Sequence, residues 1–376
     1  PKLVEGVDFP HGGARVRATA VGRIRHLRVP GQIGACACGM EGESAAAPTV
    51  WPAHYKPIPR IAFSSVEKFV EIVKGFHAQG QPLIIEGSGL MSVQNWTDPA
   101  HLETLLGEKP VLVKRSPGPK FRYFDKSKNT GKFSFIDPLE ESKQTYREFL
   151  DESRSILEQG LPRRMYLQET LSGHAEMADE FASWRWEMLL KVSVSCGWGL
   201  PDANELFIGM RDAETPLHFD ERENLLFQVR GQKELVLFPF VDYTRLYPFP
   251  TTHPCDRQSM VGDPRKPDHE AFPLFADCVG FHAILGAGDL VYIPYGWWHW
   301  LRNMDNLAAS VSFWSTTPPE DLSRGVPEVF SEHMLTRVRR NLENMLAAQH
   351  GPTRLNETML SLRAAILRGD AEDATL

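Results

Sequence analysis

The sequence predicts a β-rich α+β protein whose second half closes into a sandwich or barrel. Three observations carry this. After Trp198, six short β-branched or aromatic runs are each bounded by Gly, Pro, Asn or Asp, as strands of a sandwich or barrel are. Glycine (29) and proline (28) accompany 21 Phe and 9 Trp, a composition of turns joining aromatic-rich strands. Hydrophobic residues at 42% and charged residues at 24% are ordinary for a globular chain and exclude wholesale disorder. The 376 residues allow two or three domains, or one large domain with additions.

Residues 1–50 read as an Arg-rich, flexible segment. No acidic residue occurs between Asp8 and Glu41, while Arg15, Arg17, Arg23, Arg25 and Arg28 do. This resembles a transit peptide except that Ser is scarce. Cys36-Ala-Cys38 has no second Cys/His pair nearby to complete four metal ligands.

Residues 51–198 read as an α/β part packing on the barrel. Apolar spacing predicts a helix over Ser65–His77, a buried strand over Gln81–Glu86, and a capped helix over Asp98–Leu106 closed by Gly107. A strand follows at Pro110–Lys114, a helix at Thr145–Glu158, a strand at Arg164–Gln168 and one helix at His174–Leu190.

Residues 199–317 read as a strand-rich core. Its strands are Glu205–Met210, Asn224–Arg230, Lys233–Phe240, Gly288–Ile293, Trp298–Asn303 and Ala308–Trp314, with a hairpin turn at Arg230-Gly-Gln232. Residues 318–376 hold two amphipathic helices, Glu328–Gln349 and Thr353–Leu367, whose apolar stripes suit pairing with a second copy.

Net charge is −7, from 41 Lys and Arg against 48 Asp and Glu, which excludes a globally basic nucleic-acid-coating protein. Five scattered cysteines do not make a disulfide framework and suit a reducing compartment, cytoplasmic or nuclear. No apolar run approaches the roughly 18 residues of a membrane span.

Three His-x-Asp/Glu triplets occur, where chance gives roughly two. His101-Leu-Glu103 and His174-Ala-Glu176 lie in helical patterns, where residues i and i+2 diverge. His218-Phe-Asp220 follows Thr215-Pro216 in extended sequence, where they point to one side. Two His and one carboxylate suit non-haem iron(II), and His299 is the candidate third ligand, with His253 and His282 as rivals. A 2-oxoglutarate cosubstrate would need a cation for its distal carboxylate. Lys233 starts a strand that the hairpin pairs to the one after His218-x-Asp220, and shares a face with Leu235 and Leu237.

Thr215-Pro-Leu-His-Phe-Asp220 with Asn224, Gly231-Gln-Lys233, Gly288-Asp-Leu-Val-Tyr-Ile-Pro294 and Trp297-Trp-His299 together resemble the JmjC/cupin class of 2-oxoglutarate oxygenases. Leu246-Tyr-Pro-Phe-Pro250 and His253-Pro-Cys-Asp-Arg-Gln-Ser259 narrow the resemblance to the asparaginyl hydroxylases of the factor-inhibiting-HIF type, over roughly residues 55–350. The resemblance implies a double-stranded β-helix (the cupin/JmjC jelly roll) with flanking N-terminal helices and a C-terminal helical pair that makes a homodimer. It implies Fe(II) held by His218, Asp220 and His299, with O2 and 2-oxoglutarate as cosubstrates. Lys233, Thr215 and Tyr166 would hold the distal carboxylate, with Asn224 and Ser312 near the cosubstrate. Tyr123, Asp125, Gln168, Arg257, Gln258 and Trp314 would bind an extended segment of a protein substrate. The implied reaction is β-hydroxylation of Asn, or of Asp or His, in a transcription factor or ankyrin-repeat protein. Ser312 stands where the family has Asn, and Phe219 where it has Tyr. The rival readings are a JmjC lysine demethylase, a tRNA-base hydroxylase and a non-catalytic cupin scaffold.

Overall fold

Side-chain alternation along the strands explains the architecture. The structure is a computed structural model and describes residues 55–129, 135–171, 177–316, 332–357 and 359. The first strands are β1 (Lys56–Pro57) and β2 (Arg60–Ala62), followed by α1 (Val66–Ala78) and β3 (Leu83–Glu86). Next come α2 (Pro99–Leu106), β4 (Val111–Ser116), β5 (Glu140–Gln144), α3 (Tyr146–Glu158) and β6 (Arg164–Thr170). Two helices, α4 (Ala178–Ser183) and α5 (Trp186–Cys196), lead into β7 (Pro201–Gly209), β8 (Glu214–Phe219), β9 (Glu223–Arg230) and β10 (Lys233–Phe238). After a long connection follow β11 (Phe281–Leu285), β12 (Leu290–Ile293), β13 (Trp298–Asn303), β14 (Ala308–Ser315) and α6 (Glu332–His350).

The helices begin where the capping chemistry says they should. Ser65 accepts from the Lys68 N–H and Asp98 from the Ala100 N–H. Thr145 and Glu148 form a reciprocal capping box. The expected helix over His174–Leu190 differs: residues 172–176 lie outside the described residues, and the rest is two helices broken at Trp184 and Arg185. There Trp184 turns extended, with φ −74° and ψ 152°, and the Arg185 N–H leaves the helix to donate to Leu90 O. Packing of Trp184 and Trp186 against Phe313 overrides helical continuity.

Among the described residues the strands form two sheets, ordered β1-β11-β10-β13-β8 and β2-β3-β12-β9-β14-β7-β6-β4-β5. On β9, Leu225, Phe227 and Val229 join a core that holds Phe69 of α1, Phe149 of α3 and Val192 of α5, so the larger sheet is backed by helices. Leu226, between them, joins Leu235, Leu237, Val291, Ile293 and Leu301 in the space between the sheets. The outer face of the smaller sheet, with Val236, Phe238, Trp298 and Trp300, is covered by the connection that contains Tyr247, Val261 and Phe275. Two sheets enclosing a core of alternate residues make the jelly roll that the sequence led us to expect. Strands β2 to β6 continue the larger sheet, so the N-terminal part joins the barrel by strand pairing.

The hairpin expected at Arg230-Gly-Gln232 is not formed. Gly231 does take φ 66°, and Asp305 accepts from the Gln232 N–H at 2.8 Å. The turn, however, carries the chain from one sheet to the other: β9 pairs with β12 and β14, and β10 with β11 and β13. Sharp turns between sheets need the same glycine that hairpins need, so local sequence does not separate the two.

The covering connection is fastened by buried charge. Arg265 lies 3.1 Å from Glu214, 3.4 Å from Glu234 and 2.8 Å from Asp263, and stacks 4.5 Å over the Trp300 ring. Burial pushes the Glu214 carboxyl up to about 7 despite this partner. Arg265→Ala would strip Glu214 and Asp263 of their ion pair, leaving Glu234 to Arg302, and should lower stability by about 3–5 kcal/mol at pH 7 in denaturant unfolding. The raised Glu214 group contributes stability that is present below pH 4.5 and lost as pH rises through about 7, so the variant's deficit should shrink towards pH 5.

Candidate metal centre

Two histidines and one carboxylate converge at one end of the space between the sheets. His218 on β8 is paired with His299 on β13, and their ring centroids are 4.0 Å apart. Asp220 follows β8 directly, with Oδ2 3.7 Å from His299 Nε2. One ligand atom from each residue lies within 4.8 Å of the others. Each imidazole Nδ1 faces a backbone carbonyl, His218 that of Pro216 at 2.9 Å and His299 that of Trp297 at 3.0 Å. With Nδ1 donating, each Nε2 keeps its lone pair for a metal. Trp314 Nε1 donates to Asp220 Oδ2 at 3.0 Å and fixes the carboxylate. Burial, reinforced by His299, lowers His218 to about 4, so its ring is neutral at pH 7. Burial opposes the charge of Asp220, yet His299, His218 and Arg257 hold its carboxyl below the usual range. Two imidazole nitrogens beside an ionised carboxylate are the donor set of a divalent transition metal.

The rival histidines are elsewhere. His253 stacks on Phe249 and its Nδ1 accepts from the Cys255 N–H at 2.9 Å. His282 pairs with Val236, so it shares the opposite face of the sheet from Leu237 and His299.

The other expected residues gather on the same inner faces. Lys233 sits directly across from Asn303 on β13, two alternations along β10 from Leu237, the partner of His299. It is 2% exposed, and its Nζ donates to Ser310 Oγ at 2.5 Å. No carboxylate neutralises it among the described residues, and burial alone lowers it to about 7. Tyr166 is hydrogen-bonded to Thr215, and burial raises its phenol well above the usual range. A register shift opposite His299 and Leu301 lets Thr215 and His218, three residues apart, both face inward. Ser312 and Trp314 lie on one face of β14, paired with Leu226 and Asn224 on β9. Asn224 is buried and its Oδ1 has no hydrogen-bond partner among the described residues.

At the rim, Arg257 lines a cleft of about 360 Å³ with Ala203, Asp220, Glu221, Arg222 and Trp314. Arg257 adopts φ 64°, with its N–H donating to Asp256 Oδ1. Gln258 is buried beside His218 and donates to the Tyr123 carbonyl at 2.6 Å. Tyr123 is 54% exposed, and Asp125 caps the short turn at Lys126–Lys128 by accepting from Ser127. Gln168 is held between Lys114, at 2.9 Å, and Glu205. The indole N–H of Trp314, a candidate peptide contact, is spent on Asp220.

The sequence reading missed Ser310, although it stands two residues before Ser312 and strand alternation would have found it. It also missed Arg340 of α6, which grips Asp256 with two bonds of 2.7 Å beside the rim. No motif announces that contact. Divalent metal should bind the purified protein stoichiometrically, and His218→Ala or Asp220→Ala should abolish binding in calorimetric titration with Mn(II). Trp314→Phe, which removes only the bond to Asp220, should weaken it by about 10–100-fold.

Comparison with known proteins agrees with this geometry. JmjC domain-containing protein D of Dictyostelium discoideum is 28% identical over 250 residues, 62% of this chain and 51% of that protein. Lysine-specific demethylase JMJ30 of Arabidopsis thaliana is 24% identical over 261 residues, 69% of this chain and 54% of that protein. Human HSPB1-associated protein 1 is 31% identical over 179 residues, 45% of this chain and 36% of that protein. The matches thus span about half the length of the first two relatives and about a third of the human one. Residues 70–321, well over half of the chain, match the family described as the cupin-like domain. With its jelly roll and inward-facing His-Asp-His cluster, the chain belongs to the cupin-like domain family, and JmjC proteins are among its relatives.

Proposed function

We propose that this protein is an Fe(II)- and 2-oxoglutarate-dependent protein hydroxylase of the factor-inhibiting-HIF type, acting on the β-carbon of asparagine in an extended peptide segment. The observation that carries this reading is the His218–Asp220–His299 cluster sharing an enclosed face with Lys233, a buried cation that no carboxylate neutralises. A dicarboxylate spanning the two would give Lys233 its counterion and offer its keto-acid end to the metal. Iron bound there would activate oxygen while 2-oxoglutarate is oxidatively decarboxylated. The chain supplies the geometry. The carbonyls of Pro216 and Trp297 hold both ring tautomers, and Trp314 holds Asp220. The enclosing sheets exclude water from the cosubstrate, and the rim residues Arg257 and Gln258 stand beside the ligands. An amide such as Gln258 has the donor and acceptor to match an asparagine side chain.

A lysine demethylase, the activity in the names of two relatives, is the second reading. The cleft at the metal has Arg222 and Arg257 in its wall, and Trp314 is its single aromatic lining residue. That lining disfavours a methylammonium, which an aromatic cage binds best. Incubation with Fe(II), 2-oxoglutarate and asparagine-containing peptides should give succinate and a peptide heavier by one oxygen in mass spectrometry. Loss of a methyl group from methyl-lysine peptides instead would support the demethylase.

Lys233→Ala should raise the 2-oxoglutarate requirement by about two to three orders of magnitude while metal still binds. The pH dependence is signed. Lys233 is depressed to about 7, so above that pH the dicarboxylate must draw in a proton on binding. Calorimetric affinity for 2-oxoglutarate should therefore fall by about tenfold per unit between pH 7 and 9 in wild type, and not in Lys233→Ala.

We further propose homodimer formation through the C-terminal helices. Of the expected stripe, Val338, Leu342 and Met345 of α6 are exposed, while the side chains of Met334 and Leu335 and most of the second helix fall outside the described residues. Light scattering should give twice the monomer mass, and Leu342→Arg should return it towards one.

A further inference from the structure

We infer that Asn303 is a specificity-determining residue, a second donor to the distal carboxylate of the cosubstrate beside Lys233; this rests on the oxygenase reading. Asn303 is 1% exposed, and its Nδ2 has no hydrogen-bond partner among the described residues. The omission is not a matter of a distorted strand end. Its backbone N–H donates to Ala213 O at 3.0 Å and its carbonyl accepts from Asp212 at 2.9 Å. The residue is thus fully satisfied along the main chain, and only the side-chain amide is left over.

Its position says what the amide would meet. Asn303 is the register partner of Lys233, so the two side chains leave the sheet on one face, about 5 Å apart at their Cβ atoms. His299, Leu301 and Asn303 succeed each other on that face of β13, which puts the metal ligand at one end and the amide at the other. Opposite lies Gly209 of β7, the register partner of both Tyr166 and Ala308. A Cβ on Gly209 would fall inside the space taken by Asn303 Nδ2 and the Tyr166 ring. The amide therefore reaches across from the smaller sheet to the larger one, against the same Tyr166 that is bonded to Thr215. Lys233, reaching the same way, ends on Ser310 of β14. A buried ammonium whose one acceptor is a hydroxyl and a buried amide N–H with none among the described residues lie side by side, and both have donors to spare. One carboxylate supplies two oxygens and satisfies both. A monocarboxylic keto acid, which has nothing at this end, would leave both unmet, so the pair selects for the second carboxylate.

The test is equilibrium binding by calorimetry, with Mn(II) as the metal and 2-oxoglutarate or pyruvate as probe, together with the melting temperature of the ligand-free protein. Asn303→Ala should weaken 2-oxoglutarate by about 10–30-fold and leave pyruvate within about twofold. Asn303→Asp keeps the shape and places a carboxylate across from Lys233. It should raise the melting temperature of the ligand-free protein and weaken 2-oxoglutarate by more than 100-fold, because the introduced charge occupies Lys233 and repels the ligand. A merely structural asparagine would lower stability in both variants and affect both keto acids alike. Wild-type protein that binds no 2-oxoglutarate would overturn the oxygenase reading and this inference with it. Wild-type binding that Asn303→Ala leaves unchanged, or Asn303→Asp binding at wild-type strength, would overturn this inference alone.

Discussion

The register of β13 between β10 and β8 is the constraint on which the rest of the site depends. Its odd-numbered residues His299, Leu301 and Asn303 face inward only because Trp298, Trp300 and Arg302 face outward. Both tryptophans are fully buried beneath the covering connection, and Arg302 pairs with Glu234 at 2.8 Å. A slip of one residue would exchange the two sets, exposing a metal ligand to the outer core and driving a guanidinium between the sheets. Removing either tryptophan from such a position costs about 3–5 kcal/mol, so the outer face specifies the inner chemistry. His299 and Asn303 themselves, being polar, contribute little to holding that register.

Strain and charge at the rim follow from how this frame is closed. Arg257 takes a left-handed backbone conformation that non-glycine residues seldom adopt, and Asp256 beside it holds the Arg257 N–H. Asp256 is in turn held by Lys128 from one side and by Arg340 of α6 from the other. Glu343 of the same helix accepts from the Thr251 N–H. The helix that carries the exposed Val338, Leu342 and Met345 is thereby tied to the loop that carries Arg257 and Gln258. These ion pairs are short and largely buried and so persist in salt better than surface pairs would.

The legibility of the sequence tracks the range of the interactions involved. Ser65, Asp98 and Thr145 announce their helices because a cap is a contact within three residues. His218-x-Asp220 could be separated from the two helical triplets because strand periodicity is local too. Lys233 does lie on the face that carries His299, though not by the expected route: β10 pairs with β13 and not in a hairpin with β9. Which sheet a strand joins depends on distant pairing, across 60 to 70 residues for β10 with β13, and a glycine turn reads alike in either case. Ser310, Asn303 and Arg340 escaped notice because each matters through a partner distant in the chain. Trp184 broke a helix that periodicity would have continued, because Trp96 and Phe313, from two other segments, fixed its ring.

The inner end of the barrel departs from the rule that buried charges are paired. Arg265, Arg302 and Arg340 all have carboxylates within 3.5 Å, whereas Lys233 has a single hydroxyl. The resulting desolvation is what brings its ammonium down to about 7, and that free energy is withheld from folding in the ligand-free protein. On the proposed reading a dicarboxylate would return it, since a ligand bound only by the native state stabilises in proportion to RT ln(1 + [L]/Kd). Selectivity then follows from the same imbalance. A ligand without the second carboxylate can occupy the metal end and still leave the lysine unpaired, so it recovers none of the withheld stability. On the proposed reading the unpaired charge would be the part of the fold that distinguishes one keto acid from another, a distinction that a well-packed hydrophobic core could not make.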